Sequence, residues 1–139
     1  MASRTETTVI VTTADGAWAE SKKEIPQCSP RSLLVKVHSV ALNPSDHKMP
    51  LRVKTTGLSV GIDFAGEVVE VATHANELRT RDGLRPWMVG DRVCGSVHGS
   101  NLLHPNWGSF AHSVEADPVV LTRIPLAWDW TMACCERGP

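Results

Sequence analysis

The chain has 139 residues, enough for one domain and a real core, and its 42% hydrophobic and 21% charged residues are ordinary for a globular protein. Fourteen Lys and Arg stand against fifteen Asp and Glu, a net charge of -1 with neither sign gathered into a block. That excludes the concentrated basic footprint of a nucleic-acid binder or a membrane-surface protein. No apolar run is long enough to span a bilayer, and the first residues, Met1 to Thr8, contain no apolar signal segment. These features predict a soluble cytoplasmic protein. Cys28, Cys94, Cys134 and Cys135 form no CxxC spacing, and their scatter predicts reduced thiols rather than a disulfide scaffold.

In chain order, short β-branched runs alternate with Gly, Pro, Asn and Asp clusters. Strands are predicted at 7–13, 33–40, 66–72, 91–97, 109–114 and 119–124, several with the period-2 alternation of a half-buried sheet. Two stretches break the pattern. Pro44 holds Asn43 extended, so a short helical turn is expected from Ser45, with Ser45 as its cap. After Pro125, residues 126–137 read as a helix capped by Asp129 and stopped by Gly138 and Pro139, with Trp128 and Trp130 needing a surface to pack on. Trp18, Trp87, Phe64 and Phe110 are expected in the core or over strand edges. Gly61, Gly66, Gly90, Gly95 and Gly108 are expected at turns and bulges. The polar stretch 73–83 reads as an exposed loop. The fold class is mainly β, a partly closed barrel with a few short helices.

Five motifs in a fixed order carry a family resemblance. They are Val40-Ala-Leu-Asn-Pro-Ser-Asp-His-Lys48, Gly61-Ile-Asp-Phe-Ala-Gly-Glu-Val68, Val89-Gly-Asp-Arg-Val-Cys-Gly95, His98-Gly-Ser-Asn101 and Trp107-Gly-Ser-Phe-Ala-His-Ser-Val114. Together they resemble the GroES-like N-terminal domain of medium-chain dehydrogenases/reductases. Within that family the resemblance is to the zinc-independent quinone reductases and the trans-acting enoyl reductases that assist fungal polyketide synthases. It implies a GroES-like domain over residues 1–125 and a helical tail over 126–139 that is the remnant of a link to a Rossmann domain.

The departures from the family are informative. Asn43 stands where the family's alcohol dehydrogenases place a zinc-binding Cys, and Ile62 stands in place of their zinc-binding His, so no metal is expected. The chain contains no Gly-x-Gly turn, and only residues 126–139 follow Pro125, so no NADPH binding and no unaided hydride transfer are expected.

The resemblance places Asp46, His47, Lys48 and Asp63 beside the old active site as candidate acid–base groups. His47 would be the proton shuttle and Asp46 its orienter or a base. Asn43, His98, Asn101 and Trp107 are the candidate substrate-binding residues. The bland alternatives are a helix-start carboxylate for Asp46, a solvated charge for Lys48, a turn role for Asp63 and loop chemistry for the 98–107 segment. The expected function is a cofactor-independent cyclase or isomerase acting on a polyketide or polyketide–amino acid intermediate, evolved from an enoyl reductase. The alternatives are a non-catalytic partner that docks on a polyketide synthase or reductase, and a fragment of an NADPH-dependent enoyl reductase. A homodimer is expected, because loss of the Rossmann domain would expose an apolar seam.

Overall fold

In the computed structural model, residues 5–135 are described. Strand β1 (Glu6–Thr12) turns through 13–17 and pairs antiparallel with β2 (Trp18–Glu24), Val9 opposite Ser21. The turn is closed by Gly16 at φ +84°, where a Cβ would press on the Leu51 backbone. β2 has no counterpart among the predicted strands. Its sequence is Trp-Ala-Glu-Ser-Lys-Lys-Glu, whose charges hide the strand signal, and charges are what an edge strand carries.

The larger sheet has five antiparallel strands in the order β6-β3-β4-β5-β7. These are β3 (Leu33–Val40), β4 (Asp63–Val71), β5 (Arg92–Ser96), β6 (Ser113–Ala116) and β7 (Thr122–Arg123). Their inward side chains Leu33, Val35, Phe64, Val68, Val93 and Val114 are 0–1% exposed and make the core. Each such side chain contributes roughly 1.5–3 kcal/mol when it leaves water. Two register shifts bulge β3, and beside them Gly66 crosses so closely that a Cβ there would lie 2.2 Å from the Lys36 carbonyl oxygen. No larger residue enters without moving the ladder.

The two sheets meet at isolated bridges, Val9 to Ala111 and Val11 to Ser59. Backbone hydrogen bonds support them, from Ile10 N–H to Phe110 O at 2.9 Å and from Val60 N–H to Ile10 O at 3.0 Å. Among the described residues no ladder closes the two sheets into a barrel. The predicted strand at 109–114 is realised as this bridge followed by β6, because residues 109–111 serve the join.

Three helices complete the domain. α1 (Pro44–Val53) is a ten-residue helix rather than a turn, and Asn43, not Ser45, occupies the cap position. Pro50 lies inside it, so the Asp46 carbonyl loses a helical partner; the helix ends at Lys54 in the left-handed region. α2 (Glu77–Arg81) forms within the stretch expected to be loop. Its Arg79 and the β7 residue Arg123 hold the buried Trp87 ring between guanidiniums, each 4.4 Å from the ring centre. Arg123 also pairs with Asp91 at 2.8 Å and Arg85 does so at 2.9 Å.

α3 (Trp130–Cys135) starts later than expected, with Asp129 accepting from Met132 N–H at 2.7 Å as a cap should. The expected stop at 138–139 lies outside the described residues. Trp130 is held between His38, stacked at 4.3 Å, and the Arg92 guanidinium at 4.4 Å. Arg92 donates to the Trp128 carbonyl as well, at 2.6 Å. Both tail tryptophans therefore have their surface. No helix among the described residues is long and apolar enough to cross a membrane.

Candidate functional site

The polar centre of the domain is built where α1 begins. Asn43 precedes proline and is extended (φ -113°, ψ 149°), which turns its side chain back across the start of β4. Its amide nitrogen donates to Asp63 Oδ2 at 2.8 Å, and its backbone N–H donates to Asp46 Oδ2 at 2.8 Å. Two carboxyl groups thus flank one asparagine. Asp46 is 3% exposed, and its Oδ1 has no partner among the described residues. Burial pushes its carboxyl above the usual range and the Asp63 charge adds to the push, against the Asn43 N–H bond that favours the ionised form. His47 and Lys48, next along α1, lie exposed.

His98 and Trp107 line a different feature, an apolar cleft of about 560 Å³ with Ile62, Val97, Ala116 and Val120. This cleft shares Ile62, Ser96 and Val120 with a smaller hollow of about 300 Å³ whose wall includes Asp63, Cys94 and Cys134. Trp107 and His98 line only the cleft and Asp63 only the smaller hollow, so the two are neighbours across Ile62, Ser96 and Val120. Trp107 is braced by His104, stacked at 4.0 Å. Lys23 holds the same loop in place, donating to Pro105 O at 3.0 Å and Asn106 Oδ1 at 3.1 Å.

Among the sequence candidates, Asn43, Asp46 and Asp63 are brought together, His98 and Trp107 line the cleft, and Asp63 lines the neighbouring hollow. Asn101 sits outside it and accepts from Leu103 N–H at 2.9 Å, a turn role. His47 and Lys48 line neither hollow. A third hollow, about 630 Å³ and walled by Ile10, Trp18, Val37, Val40, Leu42 and Phe110, contains none of the candidates.

Cys94 and Cys134 were not among the candidates. Cys94 was findable, because it belongs to the Val89–Gly95 motif on the strand beside Asp63; Cys134 reaches the hollow only because α3 packs there. All four cysteines are free thiols. Burial pushes Cys94 upward with a contribution from Cys134, and Cys135 is raised by its sulfur contact with Cys134 at 3.9 Å. Cys28, next in sequence to the cleft residue Ser29, is pushed up to about 11 by burial and then by the Glu70 charge.

With this fold, the chain belongs to the alcohol dehydrogenase GroES-like domain family, whose pattern matches residues 29–125. The trans-enoyl reductase ucsL of an Acremonium species is 51% identical over 133 residues, covering 94% of this chain and 33% of the relative. The trans-enoyl reductase RAP2 of Pyricularia oryzae is 37% identical over 119 residues, 86% of this chain and 31% of that protein. The chain spans about a third of the length of these relatives. Among solved structures, an alcohol dehydrogenase superfamily protein from Novosphingobium aromaticivorans superposes with a TM-score of 0.74 at 25% identity, over 94% of this chain and 37% of that one. The quinone oxidoreductase of Coxiella burnetii has the same fold, with a TM-score of 0.72 at 20% identity over 94% of this chain and 40% of its own.

The family implies a nicotinamide dinucleotide, and the described residues do not fit one. The helix of useful length, α1, opens on Asn43-Pro44 instead of a glycine turn. Pro44 supplies no N–H, and the Asp46 carboxyl already takes the Asn43 N–H. An anion at this helix start would meet a carboxylate where a pyrophosphate needs free donors. Among the described residues, no group of three or more His, Cys, Asp or Glu is placed to hold a metal ion.

Proposed function

We propose that this chain is the acyl-binding domain of a trans-enoyl-reductase-type system, and that its own action on the bound chain is non-redox. It would take a polyketide or polyketide–amino acid intermediate and fold it for cyclisation or isomerisation without a cofactor. The observation that carries this reading is an apolar cleft walled by Trp107 and Ile62 beside a hollow that Ile62 also lines and whose wall includes Asp63, the residue held by Asn43. Apolar walls hold the chain in a reactive conformation, and a positioned carboxyl moves the proton that ring closure or double-bond migration needs. Asn43 keeps the Asp63 carboxyl aimed, and burial makes Asp46 behind it hold its proton more readily than an ordinary carboxyl. The similarity to proteins named trans-enoyl reductases supports the substrate class.

A second reading is favoured by the coverage: a domain one third the length of its relatives serves reduction together with a dinucleotide-binding domain. One assay separates the two. The purified chain is incubated with a synthetic linear unsaturated acyl thioester, with and without NADPH, and products are read by mass spectrometry. The non-redox reading expects a product of unchanged mass without NADPH, reduced about a hundredfold or more in Asp63→Asn. A product two mass units heavier, formed by this chain with NADPH, overturns it. Product only in the presence of a polyketide synthase assigns the chain an accessory role instead.

A further inference from the structure

We propose that the outer edge of β2 is a self-pairing surface through which two copies of this chain join across a two-fold axis, with Ser21 opposite Ser21. Among the described residues no strand pairs with that edge, and Trp18, Ala19, Glu20, Lys22 and Glu24 are all exposed along it. Trp18 keeps 40% of its surface in solvent while its ring packs edge-to-face on Phe110 at 5.8 Å. A second copy would cover the rest.

The charges select both the partner and the register. In an antiparallel pair whose axis stands perpendicular to the sheet, residues directly opposite share a face, so their numbers sum to an even value. Centring the axis on Ser21 sets Glu20 of each copy opposite Lys22 of the other, two attractive pairs at close cross-strand distance. Centring it on Lys22 would oppose Lys22 to itself and Glu20 to Glu24. Centring it on Glu20 would oppose Glu20 to itself. One register is therefore complementary and its neighbours are repulsive. Lysines on an open edge ordinarily discourage pairing; here a glutamate two residues away converts the same lysine into a selector for a second copy. In the single chain Lys22 leans back to the Thr8 hydroxyl, a contact at an exposed site that is cheaply exchanged for Glu20 of the other copy. The apolar hollow beside Trp18 and Ala19 would extend the covered surface beyond the strands.

The test is a charge swap read by analytical ultracentrifugation of the full 139-residue chain. The wild type is expected to pass from monomer to dimer across micromolar concentrations, with weaker association in high salt. Glu20→Lys alone and Lys22→Glu alone each turn both pairs repulsive and are expected to weaken association about tenfold or more. An equimolar mixture of the two variants restores both attractive pairs and regains the wild-type affinity as a heterodimer. Both positions are exposed, and circular dichroism verifies that each variant folds. A wild type that stays monomeric throughout, or a mixture no tighter than the variants apart, overturns the proposal.

Discussion

Asp46 shows how much one residue's setting decides its chemistry. The family resemblance makes it a candidate, and its place at the start of α1 buries it behind Asn43 and beside Asp63. Its carboxyl is raised above the ordinary value of 3.8, mainly by burial and next by the Asp63 charge. The folded chain therefore binds this proton more tightly than the unfolded chain does. The associated stability is fully present below the unfolded value and is lost as pH rises through the higher folded value. Asp46→Asn keeps a carbonyl to accept from Asn43 but cannot ionise. Relative to this variant, the wild type is expected to lose stability as pH rises above the ordinary carboxyl value of 3.8, as read from urea midpoints; parallel curves would show that Asp46 carries no such coupling. His47 and Lys48 illustrate what motif reading cannot supply. Successive residues of a helix point about 100° apart, so one face cannot hold Asp46, His47 and Lys48 together. The motif names all three, and the helix brings only Asp46 to the Asn43–Asp63 cluster.

At the level of elements, α3 depends on what it rests on. Six residues are far too few for a stable helix alone, so its order comes from docking on β3, β4 and β5. Arg92 is the principal clamp, stacked on Trp130 and bonded to the Trp128 carbonyl. Arg92→Ala is expected to speed amide exchange in 133–135 by about tenfold while the β3–β4 ladder keeps its protection. Equal loss in both would mean that Arg92 serves the whole sheet instead. The elements legible in the sequence were those with clear alternation: β1, β3, β4 and β5. β2 was illegible because four of its seven residues are charged. α2 was illegible because its stability comes from Arg79 lying over Trp87, a residue eight positions away. α1 runs longer than the short turn expected from Ser45, because the buried Pro50 inside it costs only one backbone bond.

Across the whole molecule, the mainly β architecture followed from strand spacing, and the family followed from five ordered motifs. What neither revealed was that the candidate residues would divide between a carboxyl cluster around Asn43 and an apolar cleft lined by His98 and Trp107. That division is made by the bulged β3–β4 pair, whose register no local pattern encodes. The cysteines carry a further, practical consequence. With Cys28 at about 11, roughly one molecule in ten thousand holds it as thiolate at neutral pH. Iodoacetamide at pH 7 is expected to leave Cys28 unmodified in the folded chain and to label it once urea removes the burial, as peptide mass mapping would show. Oxidation at Cys28 is slowed by the same burial, since the un-ionised thiol is a poor nucleophile toward oxidants.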